Sequence, residues 1–140
     1  GTVPVGDLVK MCFSGKYTEA QLLKRIAGKA GLTAHLGTND MREILRRIDS
    51  GDKQAELIVN AMIYHTAKNI VAEGAVLCGN VDAILLTGGL ARSEYVISRL
   101  RKRIDFLAPT YCYPGEDEME ALAINALDVL RGRQQAKEYV

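Results

Sequence analysis

Between Val81 and Leu86 the chain reads Val-Asp-Ala-Ile-Leu-Leu, apolar apart from Asp82. That pattern predicts a strand covered on both faces, a central parallel strand rather than an edge half in water. Thr87 and two glycines, Gly88 and Gly89, follow, and beyond Ser93 the residues Val96, Ile97, Leu100 and Ile104 share one helical face. The predicted unit is strand, glycine turn, helix. Ligands bind at such turns because glycine lets them approach the backbone and a helix amino end offers unpaired N–H groups. An ordinary tight turn has the same spacing. The stretch is neither a G-x-G-x-x-G dinucleotide fingerprint nor a P-loop, so the local pattern leaves both readings open.

The remaining apolar spacings predict mostly helices. Asp7 is placed to cap a short helix carrying Leu8, Val9, Met11, Cys12 and Phe13, which Ser14-Gly15 ends. Thr18 and Gln21 have capping-box spacing at the start of a second helix that runs to about Ala27. Leu32 to Leu36 reads as extended or turn. Thr38 or Asn39 can cap a helix with Met41, Ile44, Leu45 and Ile48 on its apolar side and Asp40 in its first turn. Asp49 to Asp52 is turn material, and from there to Ala75 nothing interrupts a helical pattern, which predicts a long scaffold helix containing His65. Cys78-Gly79-Asn80 stops it. Asp105 to Tyr113 predicts a second strand with Pro109 at an edge, a bend or its entrance. A last helix follows Pro114-Gly115, with Leu122, Ala123, Ala126, Leu127 and Leu130 turned inwards, and the stretch from Arg133 to Val140 reads as a frayed tail.

Composition narrows the classes. A chain of 140 residues, 48% hydrophobic and 25% charged, can build a core. A net charge of +1 gives no general push towards nucleic acid or an anionic membrane. The four cations of Arg99-Leu100-Arg101-Lys102-Arg103 read as a solvated helix face matched to the carboxyl-end dipole. Cys12, Cys78 and Cys112 lack metal-site or disulfide-framework spacing and are expected to be buried, reduced thiols. There is no membrane-length apolar run and no signal-peptide pattern at Gly1-Thr2-Val3-Pro4, so a cytoplasmic protein is the expectation. The opening residues read as a loop inside something longer, and a fragment is expected.

Four stretches in one order, Pro4-Val5-Gly6-Asp7-Leu8, Gly37-Thr38-Asn39-Asp40-Met41-Arg42, Leu86-Thr87-Gly88-Gly89-Leu90-Ala91-Arg92-Ser93 and Pro114-Gly115-Glu116-Asp117-Glu118-Met119-Glu120-Ala121-Leu122-Ala123, closely resemble the carboxyl-terminal part of butyrate kinases. These belong with acetate kinase in the acetokinase family, and the likeness covers essentially the whole chain. It implies an α/β fold, a partial ribonuclease H-like (actin-like ATPase) lobe over residues 1–132, helix-rich with a small, mostly parallel sheet. It also implies reversible phosphoryl transfer between ATP and butanoate, giving ADP and butanoyl phosphate, in a magnesium-dependent enzyme that forms dimers or larger assemblies. A small carboxylic acid is then the substrate partner, with neither nucleic acid nor membrane involved.

Position by position, the resemblance makes Gly88, Gly89, Leu90, Ala91, Arg92 and Ser93 the adenosine-binding turn. Leu90 keeps the apolar slot of the family's Gly-Gly-Ile-Gly-Glu-Asn, while Ala91, Arg92 and Ser93 depart from it. Asp40, Met41 and Arg42 match the family's Asp-x-Arg, the other jaw of the same pocket. Glu118, or Glu120 in a shifted register, aligns with the magnesium-associated glutamate. The family's arginine after Gly-Thr has no counterpart at Val3-Pro4, so no catalytic residue is assigned. The alternative is a non-enzymatic helical interaction module, in which the glycine turn is structural and the basic helix meets a partner.

Overall fold

The computed structural model describes residues 4–115 and 118–136. In chain order these form α1 (Val5–Cys12), α2 (Glu19–Gly28), α3 (Leu32–Leu36), α4 (Met41–Asp49), α5 (Lys53–Val76), β1 (Ile84–Gly88), a 3₁₀ turn (Gly89–Arg92), α6 (Glu94–Ile104), β2 (Thr110–Pro114) and α7 (Glu118–Leu130). The strands pair in parallel, with Ile84 opposite Thr110 and Gly88 opposite Pro114. The crossover between them is α6.

Helix α5 is the spine, and α3, α4 and α6 pack along it. Its buried residues Ala55, Val59, Ile63, Ala67 and Gly74 include three small ones, which lets neighbouring backbones come close. At Gly74 a Cβ would stand 2.9 Å from Leu107 Cδ2. Ile44 of α4, Ile84 of β1, and Val96, Leu100 and Ile104 of α6 complete one hydrophobic cluster with α5. The predicted inward face of α6 is therefore the observed one.

Arg47 ties the helices together at the amino end of α5. Its Nη1 donates to the Leu36 carbonyl at 2.9 Å, while Nε and Nη2 donate to Asp52 Oδ2 at 2.9 and 2.8 Å. Asp52 caps α5 by accepting from the Ala55 N–H at 2.9 Å. That backbone bond, and then Arg47, hold the Asp52 carboxyl below its ordinary value of 3.8. Its contribution to stability is complete above pH 3.8 and is lost as pH falls through the lowered value.

Several sequence expectations are corrected. Leu32–Leu36 is a short helix, bracketed by Gly31 at φ 58° and Gly37 at φ 78°, with the Gly37 N–H closing onto the Thr33 carbonyl. The first strand starts at Ile84 rather than Val81. It is covered on one face only: Leu85 is 61% exposed, and its neighbour on the outer face, Tyr111, is exposed too. The second strand starts at Thr110, because Asp105 and Leu107 still bond back to Arg101 and Ile104 and close α6. Pro109 is at the strand entrance, where its carbonyl accepts from the Ile84 N–H. Asp7 lies in the first turn of α1, and Pro4 holds the cap position. The Thr18–Gln21 capping box is present as predicted.

The inward face expected for α7 is not buried. Leu122 and Leu130 are 64% and 81% exposed and Leu127 is also exposed, because no described element packs extensively on this helix. Nor are the cysteines buried thiols. Cys12 ends α1, a helix with no buried residue, and Cys78 lies in the exposed turn after α5 at φ 52°, while Cys112 is partly covered. Of the expected frayed tail, Arg133 is tied back by its N–H to the Asp128 carbonyl at 2.8 Å, and residues 137–140 lie outside the described residues. Among the described residues no helix is long and apolar enough to cross a membrane.

Candidate functional site

The residues expected to bind adenosine fall into two groups, each at the amino end of a helix that packs on α5. The first is built around Asp40. It is the N-cap of α4, whereas the sequence suggested Thr38 or Asn39; the Thr38 hydroxyl instead accepts from the Asp40 N–H at 3.1 Å and orients the cap. Asp40 Oδ1 accepts from the Arg42 N–H at 2.9 Å. The same carboxylate takes a two-pronged bond from the Arg42 guanidinium, Nε to Oδ1 at 3.2 Å and Nη2 to Oδ2 at 3.0 Å. The Arg42 guanidinium beside it holds the Asp40 carboxyl below its ordinary range, and Asp40 raises Arg42 in turn.

This arrangement fixes a flat cation. Two parallel N–H···O bonds orient a guanidinium plane, and the side chain of Arg42 remains 88% exposed. A planar guanidinium stacks on aromatic faces. Met41 is partly buried against the core cluster and anchors the turn from beneath.

The second group is the glycine turn. Gly88, the last residue of β1, has φ 82° and ψ −176°, backbone space reserved almost entirely for glycine. Nothing lies within 4 Å of the place where its Cβ would stand. The Gly88 N–H donates to the Gly115 carbonyl at 3.1 Å, which pins the turn to the end of β2. Gly89 to Arg92 form the 3₁₀ turn, and Ser93 caps α6 through its hydroxyl, which accepts from the Val96 N–H at 3.3 Å. A serine hydroxyl in that role still has its own proton to donate. Leu90 is exposed, whereas Ala91 is buried and supports the turn from inside. Arg92 is exposed.

No hydrogen bond or ion pair among the described residues joins the two groups. They are held in place through α5, on which α4 and α6 both pack. Two grooves lie elsewhere. One, of about 520 Å³, is lined by Glu43, Arg46, Arg47, Ser50, Gly51 and Asp52 at the α4–α5 junction. The other, of about 500 Å³, lies between α5 and α6 along Asn60, Ile63, Arg99, Lys102 and Arg103. Neither groove is lined by a residue of Asp40–Arg42 or Gly88–Ser93.

Of the glutamates implied for magnesium, Glu120 is exposed, and the side chain of Glu118 lies outside the described residues with Glu116 and Asp117. Among the described residues no three metal-ligating side chains come together. The described residues leave the implied magnesium ligand Glu118 without a side-chain position, and no step is derived through the ion. The sequence reading passed over Tyr95 and Asn60, although the four-residue spacing of Tyr95 and Arg99 on one helix was a visible signal.

The model of the acetokinase family matches residues 11–108, a span that holds all of Asp40–Arg42 and Gly88–Ser93. A protein of Bacteroides thetaiotaomicron named "Probable butyrate kinase" is 60% identical over 139 residues, which are 99% of this chain and 39% of the relative. Among solved structures, an acetate kinase from Porphyromonas gingivalis superposes with a TM-score of 0.80 at 21% identity, over 93% of this chain and 39% of that one. A propionate kinase from Francisella tularensis superposes with a TM-score of 0.65 at 18% identity, over 80% of this chain and 35% of that one. The helix-rich arrangement with its small parallel sheet is thus part of the actin-like ATPase fold of acetate kinase. The chain spans about two fifths of the length of the relatives it matches.

Proposed function

Because the chain belongs to the acetokinase family, we propose that it is the adenosine-binding portion of a short-chain carboxylate kinase that exchanges a phosphoryl group between ATP and butanoate. Residues 1–132 form that lobe. The observation that carries the reading is the oriented Arg42 plane at one helix amino end together with the glycine-only conformation of Gly88 at another. In this reading the base lies against the Arg42 face and Leu90, and the sugar approaches the backbone at Gly88 and Gly89, where a side chain would obstruct it. Ser93 is placed to donate its hydroxyl proton to the sugar. The 60% identity to a relative named for butyrate supports that acid as the acceptor.

Phosphoryl transfer to a carboxylate asks a protein to hold two anions in line and to neutralise the transferred group, with little covalent chemistry of its own. The residues of this chain hold the adenosine end. The carboxylate and γ-phosphate ends belong, in this proposal, to the further length that the relatives possess, so this chain alone does not turn over butanoate.

The alternative of a helical interaction module predicts no nucleotide response. Calorimetric titration with ADP separates the two. We expect an affinity of about millimolar for an open site, and a loss of about tenfold in Arg42→Gln, which keeps the helix and removes the guanidinium plane. Equal affinity in the folded variant and the parent chain would remove Arg42 from the site.

A further inference from the structure

The basic run Arg99 to Arg103 is not a uniform solvated face. Arg101 turns inwards, where its Nη2 donates to the Thr110 carbonyl at 2.9 Å. Arg99, Lys102 and Arg103 instead line the groove of about 500 Å³ between α5 and α6, with Ile63 as an apolar wall and Asn60 opposite. Two tyrosines hold the arginines. The Arg99 guanidinium carbon lies 3.5 Å from the centre of the Tyr95 ring, and the Tyr95 hydroxyl donates to Asn60 Oδ1 at 3.5 Å. The Arg103 guanidinium lies 5.3 Å from the centre of the Tyr64 ring, which also has Lys68 Nζ at 5.7 Å.

Among the described residues none of Lys68, Arg99, Lys102 and Arg103 has a carboxylate partner. Clustered cations repel one another within the screening distance of about 8 Å at physiological ionic strength, and the cost is relieved by an anion. A guanidinium whose face rests on an aromatic ring still presents its in-plane N–H groups, which match phosphate oxygens; Arg99 Nη1 donates to the Tyr95 carbonyl at 3.4 Å, and its other N–H groups have no hydrogen-bond partner among the described residues. The groove volume is that of a small-molecule site. Because the Tyr95 face is already taken by Arg99, base stacking is disfavoured there and a chain of phosphates is favoured.

We propose that the α5–α6 groove binds a small anion carrying two or more linked phosphates, at a site separate from the glycine turn. Arg99 and Arg103 grip its two ends and Lys102 neutralises the middle.

The test is calorimetric titration of the whole chain with inorganic tripolyphosphate at low and at physiological salt. We expect one-to-one binding that weakens with salt and falls by about tenfold or more in Arg99→Gln/Arg103→Gln. Glutamine retains good helix propensity, and the melting temperature is expected to stay unchanged. The control variant Lys24→Gln/Lys29→Gln removes equal charge from exposed positions on and just beyond α2 and is expected to bind like the parent. Equal weakening in both double variants would reduce the effect to net charge and overturn the proposal, as would absence of binding to the parent. Tighter binding of a single-stranded oligonucleotide through the same two arginines would overturn the commitment to a small anion. Failure of the adenosine reading shows as silence at Gly88–Ser93 and leaves the tripolyphosphate result unaffected.

Discussion

Gly88→Val is expected to weaken ADP binding by about tenfold or more, equivalent to about 1.4 kcal/mol, and to lower the melting temperature as well. At φ 82° and ψ −176° the position lies where a residue with a side chain is strained by about 1–3 kcal/mol. Since a Cβ would meet nothing within 4 Å, the penalty is conformational rather than steric. A valine relieves it by rotating the backbone, which redirects the N–H groups of the turn and breaks the bond from the Gly88 N–H to the Gly115 carbonyl. Gly89→Val is the informative companion, because the φ of Gly89 is not among the positive ones. That variant keeps its melting temperature and loses affinity only if ligand approaches the backbone there. Unchanged ADP affinity in a folded Gly88→Val chain would contradict the role of the turn.

The largest expected loss of stability is at Ile104. This side chain is fully buried where α6 packs on α5, in the same cluster as Val59 and Ile63. Truncation to alanine removes its transfer free energy and leaves a cavity, a combined cost of about 2–5 kcal/mol. Domains are typically stable by about 5–15 kcal/mol in total, so Ile104→Ala is expected to leave the chain close to unfolding. Urea denaturation checks it: the midpoint should fall with the slope unchanged. A loss below about 1 kcal/mol would mean that the α5–α6 contact is not the centre of the core.

The physical reasons for what could be read in advance are local. Capping and amphipathic spacing are properties of a few consecutive residues, so the Thr18 box and the inward face of α6 were legible. Asp40 was misplaced by one position because Thr38, Asn39 and Asp40 are all good caps. The choice is made by Thr38 bonding Asp40 and by Arg42 returning to the same carboxylate. Leu32–Leu36 was too short for its period to register, and its ends are set by left-handed glycines rather than by apolar spacing.

Burial was the poorest guide where it depends on what lies opposite. The outer face of β1 and the apolar side of α7 have the composition of covered surfaces, and Leu85, Leu122 and Leu130 are nonetheless exposed. An apolar strand announces that it wants cover, not which segment provides it. The candidate site was legible as motifs, through Asp40-Met41-Arg42 and Gly88-Gly89. Its geometry was not, since neither the two-pronged Asp40–Arg42 bond nor the assignment of the positive φ to Gly88 rather than Gly89 follows from residue type.

In the proposed function the amino ends of α4 and α6 form two sides of one adenosine site. Amide NMR during titration with ADP reads both ends at once. Fast-exchange shifts that saturate together are expected at Asp40 to Arg42 and at Gly88 to Ser93, with a single dissociation constant of about millimolar. No shift at either stretch up to millimolar ADP, or shifts at one stretch without the other, would contradict it.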